Sequence, residues 1–399
     1  MKPHDAYRGP ALFSYGFRPF FLSATLFGLL VIPAWWSIWN GQVRNASVLA
    51  PVDWHVHEMV FGYAAAVVAG FLFTAVPNWT GRLPTRGWPL VCLLSLWIAG
   101  RLAVAGIADL GAVAVLVIDQ LFLLAVAAMV AREIVAGANW RNLKVLVPVT
   151  LLWVANFGFH LEAMTRGTAA TAGRFGIALL IVLIMLIGGR IIPSFTRNWL
   201  VQRGEENLPV PFGRFDAICI ASGVLSLVAW SLAPLNWLTG LLASFAAVLH
   251  FVRLVRWRGL RTWRSMLLLM LHIAYAMIPI GFFAIALTSF GLGTSAAPAH
   301  VFGIGAIGGM TVAVMMRATL GHTGRPLAAG RALGLAFSML IMALGARVVG
   351  QSFGLGPLDG IDLAAALWMI AFLILALRLG PWVARPKLSA KRPTSVPHG

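Results

Sequence analysis

Two imidazoles and a carboxylate stand together in His55-Val56-His57-Glu58-Met59, at the head of an apolar run that ends Ala75-Val76-Pro77-Asn78-Trp79-Thr80-Gly81-Arg82. Thr80 lies 23 residues beyond His57. That is about 35 Å of helix at ~1.5 Å per residue, against roughly 30 Å of hydrocarbon in a bilayer. The pattern returns near the other end of the chain. His300-Val301-Phe302-Gly303 opens an apolar run that closes on Gly321-His322-Thr323-Gly324-Arg325, and Thr323 is again 23 residues beyond His300. Neutral imidazole is a ligand for first-row metals, and Met59, Met310, Met315 and Met316 add soft thioethers on the same runs. Ionisable residues on membrane helices are costly, so a repeated placement of this kind points to function.

The composition requires elements that can hold such residues inside a bilayer. Of 399 residues, 60% are hydrophobic and 11% charged, and the mean hydropathy is +0.87. This excludes a soluble fold. A net charge of +18 would suggest nucleic acid in a soluble domain; in this setting it reads as arginines that set topology, with no nucleic-acid partner. Apolar runs of spanning length fall at about 20–39, 55–77, 88–107, 110–131, 145–163, 175–195, 215–232, 236–253, 265–289, 299–318, 331–349 and 361–379. The expected fold is an all-α integral membrane protein of about twelve transmembrane helices. Of the 30 Lys and Arg, 25 lie in the N-terminal segment, at the ends of every second run and in the C-terminal tail, and 5 on the other side. That bias predicts a multi-pass protein embedded in the lipid bilayer, with both termini cytoplasmic. Residues 1–384 read as one polytopic domain and the Pro- and Lys-rich 385–399 as a disordered cytoplasmic tail. The exits Pro77–Arg82, Ile192–Asn198 and Leu320–Arg325 resemble one another, which suggests three four-helix repeats. Gly173 falls where the middle copy needs its histidine.

Topology sorts the histidines by depth. His55, His57, His160 and His300 come from three different runs and share one level, near the outer face; His250, His272 and His322 lie toward the cytoplasm. His55 and His57 are two apart, so on a regular helix they face different ways. All seven are candidate metal ligands, and His55, His57, His160, His300 and His272 are candidates for a haem b held between facing helices. Cys92 and Cys219 make no C-x-x-C-H motif, so a haem would be bound without covalent attachment. Glu58 and Glu162 are placed to orient an imidazole through its second nitrogen. Among the arginines at the cytoplasmic exits, Arg317 and Arg325 are candidates to pair with haem propionates. Asp119 sits deep in its run and needs a partner or a proton.

Beyond the histidine motifs, Phe17-Arg18-Pro19-Phe20-Phe21, Val60-Phe61-Gly62-Tyr63, Ala69-Gly70-Phe71-Leu72-Phe73-Thr74, Gly188-Gly189-Arg190-Ile191-Ile192-Pro193 and Gly324-Arg325-Pro326-Leu327 complete a pattern that resembles the NnrS family over essentially the whole chain. The resemblance implies an inner-membrane protein that carries haem and copper and takes part in the response to nitric oxide. It assigns no histidine to either metal.

Three functions are compatible with these residues. The first is a haem- and copper-binding protein that binds or detoxifies nitric oxide or relieves iron–nitrosyl stress, with a quinol or a redox protein as electron donor if turnover occurs. The second is a redox enzyme like the haem–copper oxidases and nitric oxide reductases. That family expects an adjacent His-His pair, and none exists here. The third is a twelve-helix secondary transporter, which predicts two related six-helix halves and midplane sites.

Overall fold

The computed structural model describes residues 7–138, 140, 143–353 and 359–388. Residues 389–399 of the expected tail, and His4 and His398, lie outside the described residues. The described residues contain no strand and form twelve long helices, and the chain is a membrane protein. They are α1 (Phe17–Trp39), α2 (Pro51–Thr80), α3 (Trp88–Val104), α4 (Gly111–Ala136), α5 (Leu143–Arg166), α6 (Ala170–Val201), α7 (Arg214–Leu232), α8 (Trp237–Val255), α9 (Met266–Ser289), α10 (Ala297–His322), α11 (Gly330–Phe353) and α12 (Gly360–Ala384). Eleven are long and apolar enough to cross a bilayer, and α3 is a shorter apolar helix.

The helices begin and end where local chemistry dictates. Pro51 opens α2, where its missing N–H costs nothing. Asn236 and Asp359 cap α8 and α12 by accepting from the backbone N–H of Leu238 and Ile361. The helix α2 is 30 residues long and α6 is 32, both longer than the apolar runs 55–77 and 175–195. A hydropathy window misses their polar ends, which the fold makes helical and partly buries: Asp53 is buried and accepts from the Ala169 N–H at 3.1 Å, tying α2 to the start of α6.

Three helices form the interior with α9. In their apolar windows, 78% of α2, 72% of α10 and 67% of α9 is buried, with α6 next at 56%. Each of α2, α6 and α10 contains a wider turn of π-helix, at Glu58–Ala64, Ile184–Gly188 and Val301–Gly308. These are the same three helices whose exits look alike in sequence. Such widened turns re-aim the side chains that follow them and recur at functional sites.

Glycine sets the spacing around α2. A Cβ at Gly173 would lie 3.1 Å from Val56 Cγ1, so the position where a third histidine was sought is instead where α6 closes on α2, between its two histidines. A Cβ at Gly100 would lie 2.9 Å from Asp119 Oδ1, where α3 meets α4. Filling that contact displaces a buried carboxylate. Gly100→Val is therefore expected to cost about 1–3 kcal/mol, the range for overpacking, read as a fall in the thermal midpoint of the detergent-purified protein.

Candidate functional site

The first widened turn of α2 begins directly after His57, and around it lies a cluster of six buried polar side chains. His57 and Glu58 come from α2, Arg101 from α3, Asp119 from α4, and Asn156 and His160 from α5. His57 is 0% and Asp119 2% exposed. Both ring nitrogens of His57 face oxygen: Nδ1 is 3.0 Å from Glu58 Oε1, and Nε2 is 3.1 Å from Asp119 Oδ2 and 2.9 Å from Asn156 Oδ1. Asn156 Nδ2 donates to Asp119 Oδ2 at 2.7 Å, which turns its amide oxygen toward His57. His160 Nε2 donates to the same Asp119 oxygen at 3.1 Å. The Arg101 guanidinium closes the cluster by pairing with Glu58 Oε1 and Asp119 Oδ1. In this arrangement His57 donates through both nitrogens, so His57 and Arg101 together balance two carboxylates. A buried charge is tolerated only with such partners.

The donors for a metal are in place. His57, Asp119 and His160 each offer one ligand atom, and these atoms lie within 4.8 Å of one another. Ligands bound at ~2.0–2.1 Å in a tetrahedral site stand about 3.3 Å apart, and both N···O separations here are 3.1 Å. Binding a metal ion there would displace the two Nε2 protons and re-aim the rings at the ion, with Glu58 behind His57 as the outer hydrogen-bond acceptor. Two imidazoles and a carboxylate with no thiolate suit copper(II), zinc or iron(II). The cluster can therefore coordinate a metal ion.

The other two histidines of that level are held apart from it. His55 points to the opposite side of α2, into a cavity of about 350 Å3 bounded by α1, α2, α6, α10, α11 and α12. His300 lines the same cavity, with Arg347, Trp35, Tyr63 and Trp368. His300 Nδ1 donates to Ala296 O at 2.8 Å. That bond fixes the tautomer and leaves Nε2 as a bare lone pair with no protein partner among the described residues. The His55 ring packs on Trp35 with centroids 4.3 Å apart, and its Nδ1 is buried without a hydrogen bond.

The remaining candidates lie elsewhere. His250 has both nitrogens engaged. Arg253 Nη1 donates to the Tyr275 oxygen (2.7 Å), Tyr275 faces His250 Nδ1 (3.1 Å), and His250 Nε2 donates to Cys219 O (2.9 Å). His272 Nδ1 donates to Leu268 O, and its Nε2 faces Thr196 Oγ1 at 3.4 Å. His322 stacks on Tyr15 with ring centroids 5.4 Å apart. Arg317 lies over the Phe195 ring and Arg325 over that of Trp382; neither lines the histidine cavity, whose arginine is Arg347. Of the two glutamates, Glu58 does orient an imidazole. Glu162 instead accepts from the backbone N–H of Thr171 and Ala172, capping α6.

Arg101, Asn156 and Arg347 were missed in the sequence, although a signal for two of them was there. Arg101 and Arg347 are among the five basic residues on the arginine-poor side of the bundle. Having no part in a topology bias, they need another reason to be there. Asn156 carries no such mark and is found only through α5.

The model of the NnrS family, described as NnrS protein, matches residues 11–387. No curated protein matches the chain. The match takes in all twelve helices, the His57–Asp119–His160 cluster and the histidine cavity, and the chain belongs to the NnrS family.

Proposed function

We propose that this chain is a haem- and copper-binding protein of the bacterial inner membrane that binds nitric oxide, with both metal groups near the outer face and both termini cytoplasmic. The observation that carries the reading is His300: its Nδ1–H is spent on Ala296 O and its Nε2 lone pair is left bare in a cavity that His55 also lines. This is the protonation state that an imidazole would need to hold the iron of a haem. The cavity's 350 Å3 falls in the range of ~300–1,000 Å3 typical of ligand pockets.

In this reading His300 and His55 hold haem b, and Arg347 pairs with a propionate. His57, Asp119 and His160 hold the copper. When bound, the haem supplies an iron that takes up nitric oxide and exchanges electrons. The protein's own residues decide the rest. Ala296 O would make His300 the stronger of the two imidazole donors, and His55, with no acceptor on Nδ1, the weaker. Trp35, Trp368 and the aliphatic walls line the cavity, and Arg101 pairs with Glu58 and Asp119 and so orients them beside His57. The residues His55-Val56-His57 link the two sites on one helix; if turnover occurs, the electron donor would be a quinol or a redox protein.

Metal analysis tests the pairing of residues with groups. His57→Ala and His160→Ala are each expected to lose about one equivalent of copper per chain while the Soret absorbance persists. Loss of both groups in either variant, or retention of copper in both, would refute the assignment.

A further inference from the structure

A second cavity, open on one side, lies where the three widened helices meet. It measures about 80 Å3 and is bounded by α2, α6 and α10 alone. Residues from all three π-helical turns line it: Ala64, Gly188 and Ile307. Its one polar neighbour is Thr311, and that hydroxyl is already committed. It donates back to Ile307 O (2.8 Å) or Gly308 O (2.9 Å), so it accepts from the Tyr63 hydroxyl 2.7 Å away. No hydrogen-bond donor is left to offer a ligand, and at most one lone pair of the Thr311 oxygen remains to accept.

Those facts restrict what can occupy it. A water held there needs two to four polar partners, and apolar cavities that lack them stay dry while taking up xenon and similar small apolar species. A charged or hydrogen-bonding ligand would lose its hydration and gain at most that one hydrogen bond. The volume is too small for a drug-sized ligand, whose pockets begin at roughly 300 Å3. An uncharged diatomic gas satisfies every condition, and it dissolves readily in the hydrocarbon around the helices.

The cavity is also placed to deliver. Leu180 and Ile307 line both it and the histidine cavity, and the wall between the two carries the Tyr63–Thr311 hydrogen bond. Toward the other side, half-buried Phe71, Ile191 and Val314 form its rim. We infer that the second cavity is a binding site for an uncharged diatomic gas taken from the bilayer, which passes Leu180 and Ile307 to reach the histidine cavity. The delivery half of this inference rests on the histidine cavity being the cofactor site; the binding half does not.

Two variants fill the cavity from different helices. A Cβ at Gly188 would meet only Ile184, Ile192 and Met310, at 3.5–3.8 Å, which is ordinary contact, so Gly188→Leu places its side chain in the space without forcing the backbone. Val314→Trp blocks the rim from α10 and covers the case in which the first variant does not fold. Crystals of the full chain under xenon pressure should show a xenon peak between Leu180, Gly188 and Ile307 in the wild type and none in the variants. An absent peak in the wild type, or acyl-chain density in its place, would overturn the site whatever cofactor the protein holds. A xenon peak in a protein without a Soret band would sustain the site and sink the cofactor reading alone. With the Soret band present, carbon monoxide rebinding after flash photolysis should slow several-fold in both variants with the band unshifted. Unchanged rebinding would overturn delivery through this cavity.

Discussion

Asp119→Ala is expected to destabilise the protein by about 3–5 kcal/mol, the cost of removing one partner from a buried ion pair, and to abolish metal binding at the His57 cluster. Asp119 Oδ2 takes hydrogen bonds from His57, His160 and Asn156, and Oδ1 pairs with Arg101. Without the carboxylate, two cationic side chains share Glu58 alone, in surroundings where water cannot replace the lost contacts. Asp119→Asn separates the two consequences. Its amide keeps the shape of the carboxylate and part of the hydrogen bonding, so the fold should survive with a smaller loss, whereas a neutral amide oxygen is a poor ligand and metal should still be lost. The measurements are thermal unfolding in detergent and metal content of the folded fraction. If Asp119→Asn bound metal like the wild type, the cluster would be a structural ion-pair network with no ligand role for Asp119.

The second large effect separates the two cavity histidines. His300→Ala is expected to remove the Soret band altogether, because it deletes the imidazole whose Nδ1–H is already fixed on Ala296 O. His55→Ala should retain haem but shift it from a six-coordinate, low-spin spectrum to a five-coordinate, high-spin one, since the ring on Trp35 has no acceptor behind its Nδ1. Optical and magnetic circular dichroism spectra of the two purified variants read both outcomes. Haem retained in His300→Ala and lost in His55→Ala would reverse the order of the ligands. No Soret band in the wild type after iron-replete expression would leave both histidines without a haem to bind. Copper content should stay unchanged in both variants, because His57 faces the opposite side of α2 from His55.

The sequence by itself determined the class and the helices, and it predicted one level for four of the histidines. Hydrocarbon thickness and the cost of unsatisfied backbone in lipid leave helices as the solution for runs of this length and polarity, so the long apolar helices were legible without coordinates, eleven of spanning length and one shorter. The spacing of two between His55 and His57 also told, through helical geometry alone, that they face apart. Sequence could not divide the four histidines of that level into two sites. That division depends on which helices pack on each face of α2: α4 and α5 bring Asp119 and His160 to His57, while α10 and α11 bring His300 and Arg347 to the His55 side. The three π-helical turns were equally hidden, because their φ and ψ barely depart from the α-helix and no residue type marks them. The partners of Asp119 were decided the same way. A carboxylate deep in an apolar run announces that it must be paired, but Arg101 is 18 residues before it and Asn156 is 37 after it, and only the packing of α3 and α5 against α4 chooses them.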